Sequence, residues 1–274
     1  WTYYRNEAIF NFLEKKIGVP YPWANYKQAP VRDFRHGAME NTTATIFGDF
    51  FLVDSIAFQD RNYTYVNAHE LAHQWHGNLV TARGSKHHWL HEGLATYYQW
   101  LSEAQLYGPG HYAWNRHKAA QKVWEAPHND SLPLAHPQAG SALFYQKGAW
   151  AMSMLEQRLG TATLDSALRA YLRRHAYGVV TTDSLRQSLE RVCQCALGTF
   201  FEQWVHQPGG PFLRVTQRGG EGKRQLELRR RGRFDLELPV IAYPQQGEPD
   251  TTWLYWPAAA GTDTNLALPR KTLR

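Results

Sequence analysis

The chain has 274 residues, which is enough for one large domain or two modest ones with a sizeable core. Its apolar fraction of 43% is ordinary for a globular protein, and no apolar run is long enough to span a bilayer. The two cysteines, Cys193 and Cys195, stand one residue apart, and a pair so close rarely satisfies disulfide geometry. Composition therefore excludes a membrane-spanning segment and a disulfide framework, and it leaves the redox compartment open.

The formal charge of +6 is densest in one short cluster of arginines. Clusters of this kind can bind phosphate groups. Alternating residues at 226–228 and 234–238, on either side of the cluster, instead predict two strands joined by a turn. We therefore interpret the cluster as the solvated tip of a hairpin and predict no nucleic-acid partner. Its members are Arg229, Arg230, Arg231 and Arg233.

Apolar residues at helical spacing recur through the first three quarters of the chain. The first predicted helix covers residues 7–16 and is stopped by Gly18 and Pro20. Residues 21–34 are punctuated by proline and predicted to be extended. Further helices are predicted at residues 65–79, 89–104, 144–159, 162–175, 182–193 and 197–206, with a polar connector at 81–88 and a partly helical loop at 108–140.

The pattern changes after the Gln-Pro-Gly-Gly-Pro sequence at 207–211, where alternating strands replace helices up to the last residue. This change predicts one domain at residues 1–209 and a second at 210–274. The opening residues, from Trp1 to Tyr4, are unlike a natural start, which predicts that the chain is part of a longer polypeptide. Any targeting signal would then lie upstream, so the compartment stays open.

The strongest local motif is the sequence His-Glu-Leu-Ala-His at 69–73. On a helix His69 and His73 share one face, so both imidazoles can point at a single ion. Zinc readily takes neutral imidazole nitrogens and leaves a position for water in catalytic sites. Glu70 can reach that water as a general base. A surface helix with two unrelated histidines is the alternative, and the five-residue pattern needs structural context to exclude it.

The third ligand is predicted to be Glu92, in the next predicted helix. Eighteen residues separate it from His73, enough for a helix end, a connector and a returning helix. Another known arrangement requires glycine and histidine where this chain has His76 and Leu79, so that arrangement is excluded. One zinc ion per chain is therefore expected. His87 and His91 offer an adventitious second site, with solvated or core-bound histidines as the favoured interpretation.

Two further motifs complete the pattern. The first is Gly-Ala-Met-Glu-Asn at 37–41, and the second is Tyr-Gln-Lys-Gly at 145–148. Together with the zinc motif they resemble the M1 aminopeptidases, the gluzincin group that includes alanyl aminopeptidases and leukotriene A4 hydrolase. The first motif is similar to the exopeptidase signature of that family, and the second is similar to the segment with its catalytic tyrosine. The three motifs appear in the order of the family, and the resemblance covers about residues 5–215.

The resemblance implies a role for each motif. Glu40 would bind the α-ammonium group of a peptide substrate with a free amino terminus. The backbone of Gly37 and Ala38 would run along the bound peptide like an edge strand, with Met39 and Asn41 completing the substrate-binding segment. The Tyr145 hydroxyl would donate a hydrogen bond to the oxyanion that forms at the scissile carbonyl.

The implied fold is α+β, a thermolysin-like and mostly helical zinc metallopeptidase domain followed by a small β-sandwich. The implied activity is zinc-dependent hydrolysis of the N-terminal peptide bond. His76 and His91 depart from the family, which usually has an aromatic residue and an asparagine at these places. Two rivals remain, an epoxide hydrolase with residual peptidase activity and a non-catalytic interaction subunit.

Overall fold

The computed structural model describes residues 1–126, 131–218, 225–242 and 248–267. Parts of the predicted loop at 108–140 and of the strand region after residue 210 lie outside these ranges. The chain divides into two compact units, Trp1–Gln207 and Pro208–Arg274. The domain boundary after residue 209 stays a prediction. Within the described ranges, no helix is both long and apolar enough to cross a membrane.

The first unit is built mainly from helices, in the order that the hydrophobic periodicity predicts. Two π-helical segments, Ala142–Lys147 and Glu202–His206, lie just before α5 and just after α8. The helices are α1 (Asn6–Ile17), α2 (Thr64–Ala72), α3 (Trp89–Tyr107), α4 (Pro109–Trp124), α5 (Gly148–Leu159), α6 (Thr161–His175), α7 (Thr182–Cys193) and α8 (Gly198–Phe201).

Helix α2 is shorter than predicted, because it ends at Ala72 and not at residue 79. Beyond it the backbone hydrogen bonds widen, with the N–H of Asn78 donating to the carbonyl of His73 and that of Leu79 to Gln74. Gly77 follows with a φ of 144°, a conformation that side-chain-bearing residues rarely adopt. Apolar periodicity continues through this turn, which is why the sequence pattern overruns the helix.

Short strands complete the first unit. Strands β1 (Lys27–Val31), β2 (Ala38–Met39) and β3 (Ala44–Gly48) form a sheet in the order β1-β3-β2. Strand β2 pairs antiparallel with β3 and lies at the edge of the sheet. Strand β4 (Val80–Ala82) pairs in parallel with β5 (Gly178–Val180), so the predicted connector at 81–88 begins with a strand that its polar sequence did not indicate.

Helix α3 lies at the centre of the main core and packs against α2, α4 and α5. Trp75, Trp89 and Tyr97 are fully buried in this core. Each large apolar side chain contributes roughly 1.5–3 kcal/mol when it is fully buried. The core therefore holds α2 and α3 against each other, and these two helices carry the histidines and the glutamate of the predicted metal site.

The second unit consists of strands. Strands β6 (Phe212–Arg218), β7 (Gln225–Arg231) and β10 (Asp263–Ala267) form one sheet in the order β10-β7-β6, while β8 (Leu236–Ala242) pairs with β9 (Asp250–Trp256). The predicted hairpin around the arginine cluster is therefore wrong, since β7 and β8 belong to different sheets. The change of sheet between residues 231 and 236 is invisible to an alternation pattern.

Arg230 is buried inside the second unit, contrary to the predicted solvated tip. Its guanidinium donates to backbone carbonyls, including those of Phe234 and Trp256 at 3.0 Å each, and lies over the Trp256 ring at 4.5 Å. Arg229 instead pairs with Glu227 at 2.8 Å. The densest positive charge of the sequence is therefore partly internal and partly paired.

The exclusion of a disulfide between Cys193 and Cys195 is also wrong. The structure joins the two sulfur atoms across the end of α7. Gln194 adopts a left-handed conformation with φ 52° and ψ 38°, which turns the chain back on itself. The two Cα atoms are 5.2 Å apart, within the usual range for disulfides, although only one residue separates them.

Helix α3 and the start of α5 approach each other closely at a pair of glycines. A Cβ atom built on Gly93 would meet the Cα atom of Gly148 at 2.8 Å. Because the obstacle is a backbone atom, it cannot move aside as a flexible side chain could. Gly93 follows the predicted ligand Glu92 directly, and Gly148 lies three residues beyond Tyr145, so this close approach lies beside both of these site residues.

We expect Gly93→Ala to lower the free energy of unfolding by about 1–3 kcal/mol, because the added methyl group overpacks a backbone contact. Gly110→Ala in α4 is the matched control, since its Cβ would meet no atom within 4 Å. That variant is expected to be neutral or to gain about 0.5–1 kcal/mol. Urea unfolding of both variants measures the difference, and equal stabilities would contradict the backbone constraint.

Candidate functional site

Three side chains converge where α2 meets the first turn of α3. His69 and His73 lie four residues apart, and their Nε2 atoms are 3.0 Å from each other. Glu92 reaches them from α3, with its Oε2 atom 3.1 Å from the Nε2 of His69 and 3.3 Å from that of His73. All three residues are buried. The structure thus brings together the three predicted ligands, which can hold one metal ion.

The donor set fits a small tetrahedral cation. Bonds of about 2.0–2.1 Å in tetrahedral geometry separate neighbouring ligand atoms by about 3.3 Å, close to the spacing of these three atoms. The Nδ1 of His73 donates to the carbonyl of His76 at 3.0 Å, which leaves the Nε2 lone pair free for a ligand bond. Two imidazole nitrogens and one carboxylate oxygen form a set typical of catalytic zinc.

The electrostatics of these three groups depend on burial and on mutual attraction. Burial lowers the pKa of His69. Burial also opposes charge on His73 and Glu92, but their attraction outweighs it. The pKa of His73 is therefore raised to about 10, and that of Glu92 is held well below its usual range. The carboxylate stays ionised and requires a positive partner. That partner is either the protonated ring of His73 or a metal cation, which would displace the proton from the Nε2 atom of His73.

Glu70 lies one residue beyond His69 and is buried beside the same cluster. Its Oε2 atom has no hydrogen-bond partner among the described residues. Burial raises the pKa of its carboxyl group to about 8, with the charges of Glu40 and Glu92 adding to the rise. An unpartnered carboxylate oxygen of this kind can accept a proton from a water molecule in the cleft.

Tyr145 lies in the π-helical segment before α5, and its ring stacks on His69 at 5.4 Å and 9°. Burial raises the pKa of the phenol, and the nearby carboxylates of Glu92 and Glu70 raise it further. The hydroxyl group therefore keeps its proton at neutral pH and can act as a hydrogen-bond donor. Predicting a helix here was right in outline, whereas the wider π-helical turn has no signature in the sequence pattern.

The substrate-binding segment predicted at 37–41 lies beside the cluster. A cleft of about 800 Å³ is lined by Gly37, Ala38, Met39 and Glu40 together with His69, Glu70, His73, Glu92 and Tyr145. Asn41 does not line this cleft; its carbonyl accepts the N–H of Ala44 in the turn before β3. Nine of the ten predicted site residues therefore share one cleft.

Two residues that the sequence reasoning missed fasten this segment to the metal cluster. The side-chain amides of Asn78 and Gln74 donate to the carbonyl of Glu40, at 2.8 and 3.3 Å. The amide oxygen of Gln74 also accepts the N–H of Thr43 at 2.9 Å. Both residues lie in the turn after α2. Their nearness to His73 along the chain is the one sequence feature that could have indicated them.

The remaining histidines near the cluster have separate positions. His87 contacts the Thr182 hydroxyl through Nδ1, and His91 accepts the N–H of Ala82 at 2.7 Å. The two rings thus have different partners, and the only group of three or more metal-binding side chains within the described residues is that of His69, His73 and Glu92. His76 is buried and its ring stacks on that of Tyr98, with the ring centroids 5.1 Å apart, at a position where the resemblance implies an aromatic residue.

Comparison with known proteins shows sequence similarity over most of the chain and not only at the site. Aminopeptidase M1 of Arabidopsis thaliana is 31% identical over 236 residues, covering 80% of this chain and 26% of that protein. Aminopeptidase N of Streptomyces lividans is 30% identical over 75% of the chain and 26% of its own length. Human endoplasmic reticulum aminopeptidase 1 is 27% identical over 90% of the chain and 29% of its own length.

The chain spans about a quarter of the length of these curated relatives. The model of the peptidase family M1 domain matches residues 1–204, which is nearly all of the first unit and includes every residue of the cleft described above. The chain belongs to peptidase family M1.

Proposed function

We propose that this chain carries the catalytic site of a zinc aminopeptidase, which hydrolyses the N-terminal peptide bond of peptides. The observation that carries the proposal is the cluster of His69, His73 and Glu92 with the unpartnered carboxylate of Glu70 beside it. A purely structural cluster would have no use for a buried carboxylate oxygen without a hydrogen bond, since such a group costs about 1–3 kcal/mol or more.

Zinc is the metal that the donor set favours, with one ion per chain held by His69, His73 and Glu92. A bound zinc ion acts as a Lewis acid that polarises a carbonyl group and acidifies water. The carboxylate of Glu70 takes a proton from the attacking water and delivers it to the leaving amine. Burial raises the pKa of Glu70 and so makes its carboxylate a stronger base than an exposed one, which favours uptake of the proton from water.

The Tyr145 hydroxyl donates a hydrogen bond to the substrate's carbonyl oxygen as that atom gains negative charge. The stacking of its ring on His69 fixes the phenol against the metal-binding helix before substrate arrives. A hydrogen-bond donor held at the site stabilises the negative charge that develops in the transition state. The phenol keeps its proton because burial and nearby carboxylates raise its pKa.

Glu40 binds the α-ammonium group of the substrate, which makes the enzyme an exopeptidase. The backbone of Gly37 and Ala38 runs along the peptide, a role that suits an edge strand such as β2. Met39 and Asn41 complete this segment, Met39 at the cleft and Asn41 in the following turn. A carboxylate held at a fixed distance from the metal accepts a substrate with one residue before the scissile bond.

The finer fold assignment forms part of the same proposal. We assign residues 1–209 to a thermolysin-like catalytic domain, in which α2 and α3 present the ligands, and residues 210–274 to a small β-sandwich. A non-catalytic subunit is disfavoured because the three ligands, Glu70 and Tyr145 are all present and line one cleft. No feature of the described residues favours the epoxide hydrolase.

Zinc analysis tests the proposal most directly. We expect about one zinc per chain in protein purified without chelators, and we expect chelation to abolish hydrolysis and lower the thermal stability. Glu70→Gln should keep the zinc and lose about 10²–10⁴-fold in kcat. Metal content and aminoacyl-anilide hydrolysis measure both effects. Protein without stoichiometric metal, or a fully active Glu70→Gln variant, would contradict the mechanism.

Removal of the Tyr145 hydroxyl group should affect the transition state alone. Tyr145→Phe is expected to lower kcat by about 10²–10³-fold with little change in KM, the typical loss for one oxyanion donor. Tyr65→Phe is the matched control, because Tyr65 lines the same cleft outside the metal cluster. A Tyr145→Phe variant with raised KM and unchanged kcat would make this residue a ground-state binder.

The Glu40 prediction separates an exopeptidase from a general protease. A charge-assisted hydrogen bond to an ammonium group contributes roughly 1.5–3 kcal/mol. Glu40→Ala should therefore lose roughly 10- to 150-fold in kcat/KM on substrates with a free amino terminus. Acetylation of the substrate should cost the unaltered protein at least as much.

The two losses should not add, because each removes the same interaction. Kinetics of both proteins on free and acetylated substrates give all four rates. If the unaltered protein cleaves acetylated peptides as well as free ones, Glu40 is not an amine anchor.

A further inference from the structure

The two oxygens of Glu92 have different neighbours. Oε2 faces the Nε2 atoms of His69 and His73, whereas Oε1 lies 3.2 Å from the Nε2 atom of His88. His88 directly precedes α3 and is four residues before Glu92. An ionised carboxylate can only accept hydrogen bonds, so His88 must carry its proton on Nε2 and donate it. The third histidine near Glu92 is thus a hydrogen-bond donor outside the predicted ligand set.

The structure holds the His88 ring in this orientation from several sides. The ring packs edge-to-face on Phe144 at 5.3 Å and 90°, and it lies 5.5 Å from the ring of His91. The carbonyl of His88 accepts the N–H groups of His91 and Glu92, at 2.9 and 3.2 Å. The backbones of His88 and Glu92 therefore belong to one helical turn, which restricts the distance between their side chains.

An ordinary ion pair between residues four apart on a helix surface contributes only about 0.3–0.5 kcal/mol. The pair of His88 and Glu92 differs, because the Glu92 side chain is only 7% exposed and the His88 side chain 41%. One partner is thus a buried carboxylate whose orientation decides which oxygen faces the metal cluster. Outer hydrogen bonds to metal ligands typically contribute 10- to 100-fold in metal affinity.

We propose that His88 is a positioning residue for the metal site. By donating from Nε2 to Oε1, it fixes the rotation of the Glu92 carboxylate so that Oε2 alone faces the two imidazole ligands. This hydrogen bond also satisfies the oxygen that does not serve as a ligand. This inference rests on the proposed zinc site and adds a residue to it that the ligand motifs do not contain.

Zinc affinity of the 274-residue chain, measured by competition with a coloured chelator, tests the proposal. His88→Leu fills similar space without a donor and should weaken zinc binding about 10- to 100-fold. His88→Gln keeps an N–H donor and should bind zinc within a few-fold of the unaltered protein. His111→Leu is the matched control, since the His111 side chain is 33% exposed and lies 3.1 Å from Glu103, a carboxylate that lines the same cleft but is not a proposed ligand.

Two further measurements separate positioning from general damage. Thermal unfolding in the presence of chelator should give similar midpoints for the Leu and Gln variants at position 88. The visible spectrum of bound Co²⁺ should change in His88→Leu and not in His111→Leu, because only the first variant removes a hydrogen-bond donor from a proposed ligand carboxylate.

Unchanged zinc affinity in His88→Leu would overturn the proposal and leave the proposed function intact, as would an equal loss in His111→Leu. If the unaltered protein binds no zinc, the proposed function fails and this inference fails with it.

Discussion

An ionised carboxylate inside an apolar core needs positive or hydrogen-bonding partners, and Glu92 is the residue on which this constraint acts most strongly. An unpaired charge there would cost several kcal/mol, more than most single contacts contribute. His69 and His73 contact Glu92 from the end of α2, and His88 contacts it from the position directly before α3. The packing of α2 on α3 therefore brings the partners of Glu92 to it. The close approach of Gly93 and Gly148 also lets the π-helical segment that carries Tyr145 lie beside the metal cluster.

Glu70 and Glu92 show how two buried carboxylates close together acquire different chemistry. Glu92 is surrounded by imidazoles, so attraction holds its pKa low and suits it to be a permanent anion. Glu70 has an oxygen without a partner among the described residues, and burial raises its pKa to about 8. A ligand must stay ionised and a proton carrier must change its state, so the two environments match the two proposed roles.

The sequence predicted those parts of the molecule that depend on local spacing. Placing His69 beside His73 requires only a helix, and Glu92 could be inferred because one returning helix suffices to bring it back. The positions of Asn78 and Arg230 depend on contacts between segments far apart in sequence, which no local pattern encodes. The errors have the same origin: the disulfide depends on one left-handed residue, Gln194, and the wrong hairpin on a change of sheet.

The turn after α2 connects the metal cluster to the proposed amine anchor. Gln74 and Asn78 lie four residues apart within this turn, where the backbone hydrogen bonds are wider than in a regular helix and Gly77 has a φ of 144°. Both side-chain amides donate to the carbonyl of Glu40 from this turn. The segment that follows His73 thus holds the backbone of Glu40. The separation of the proposed amine anchor from the proposed metal ligands therefore depends on hydrogen bonds from the residues that directly follow His73.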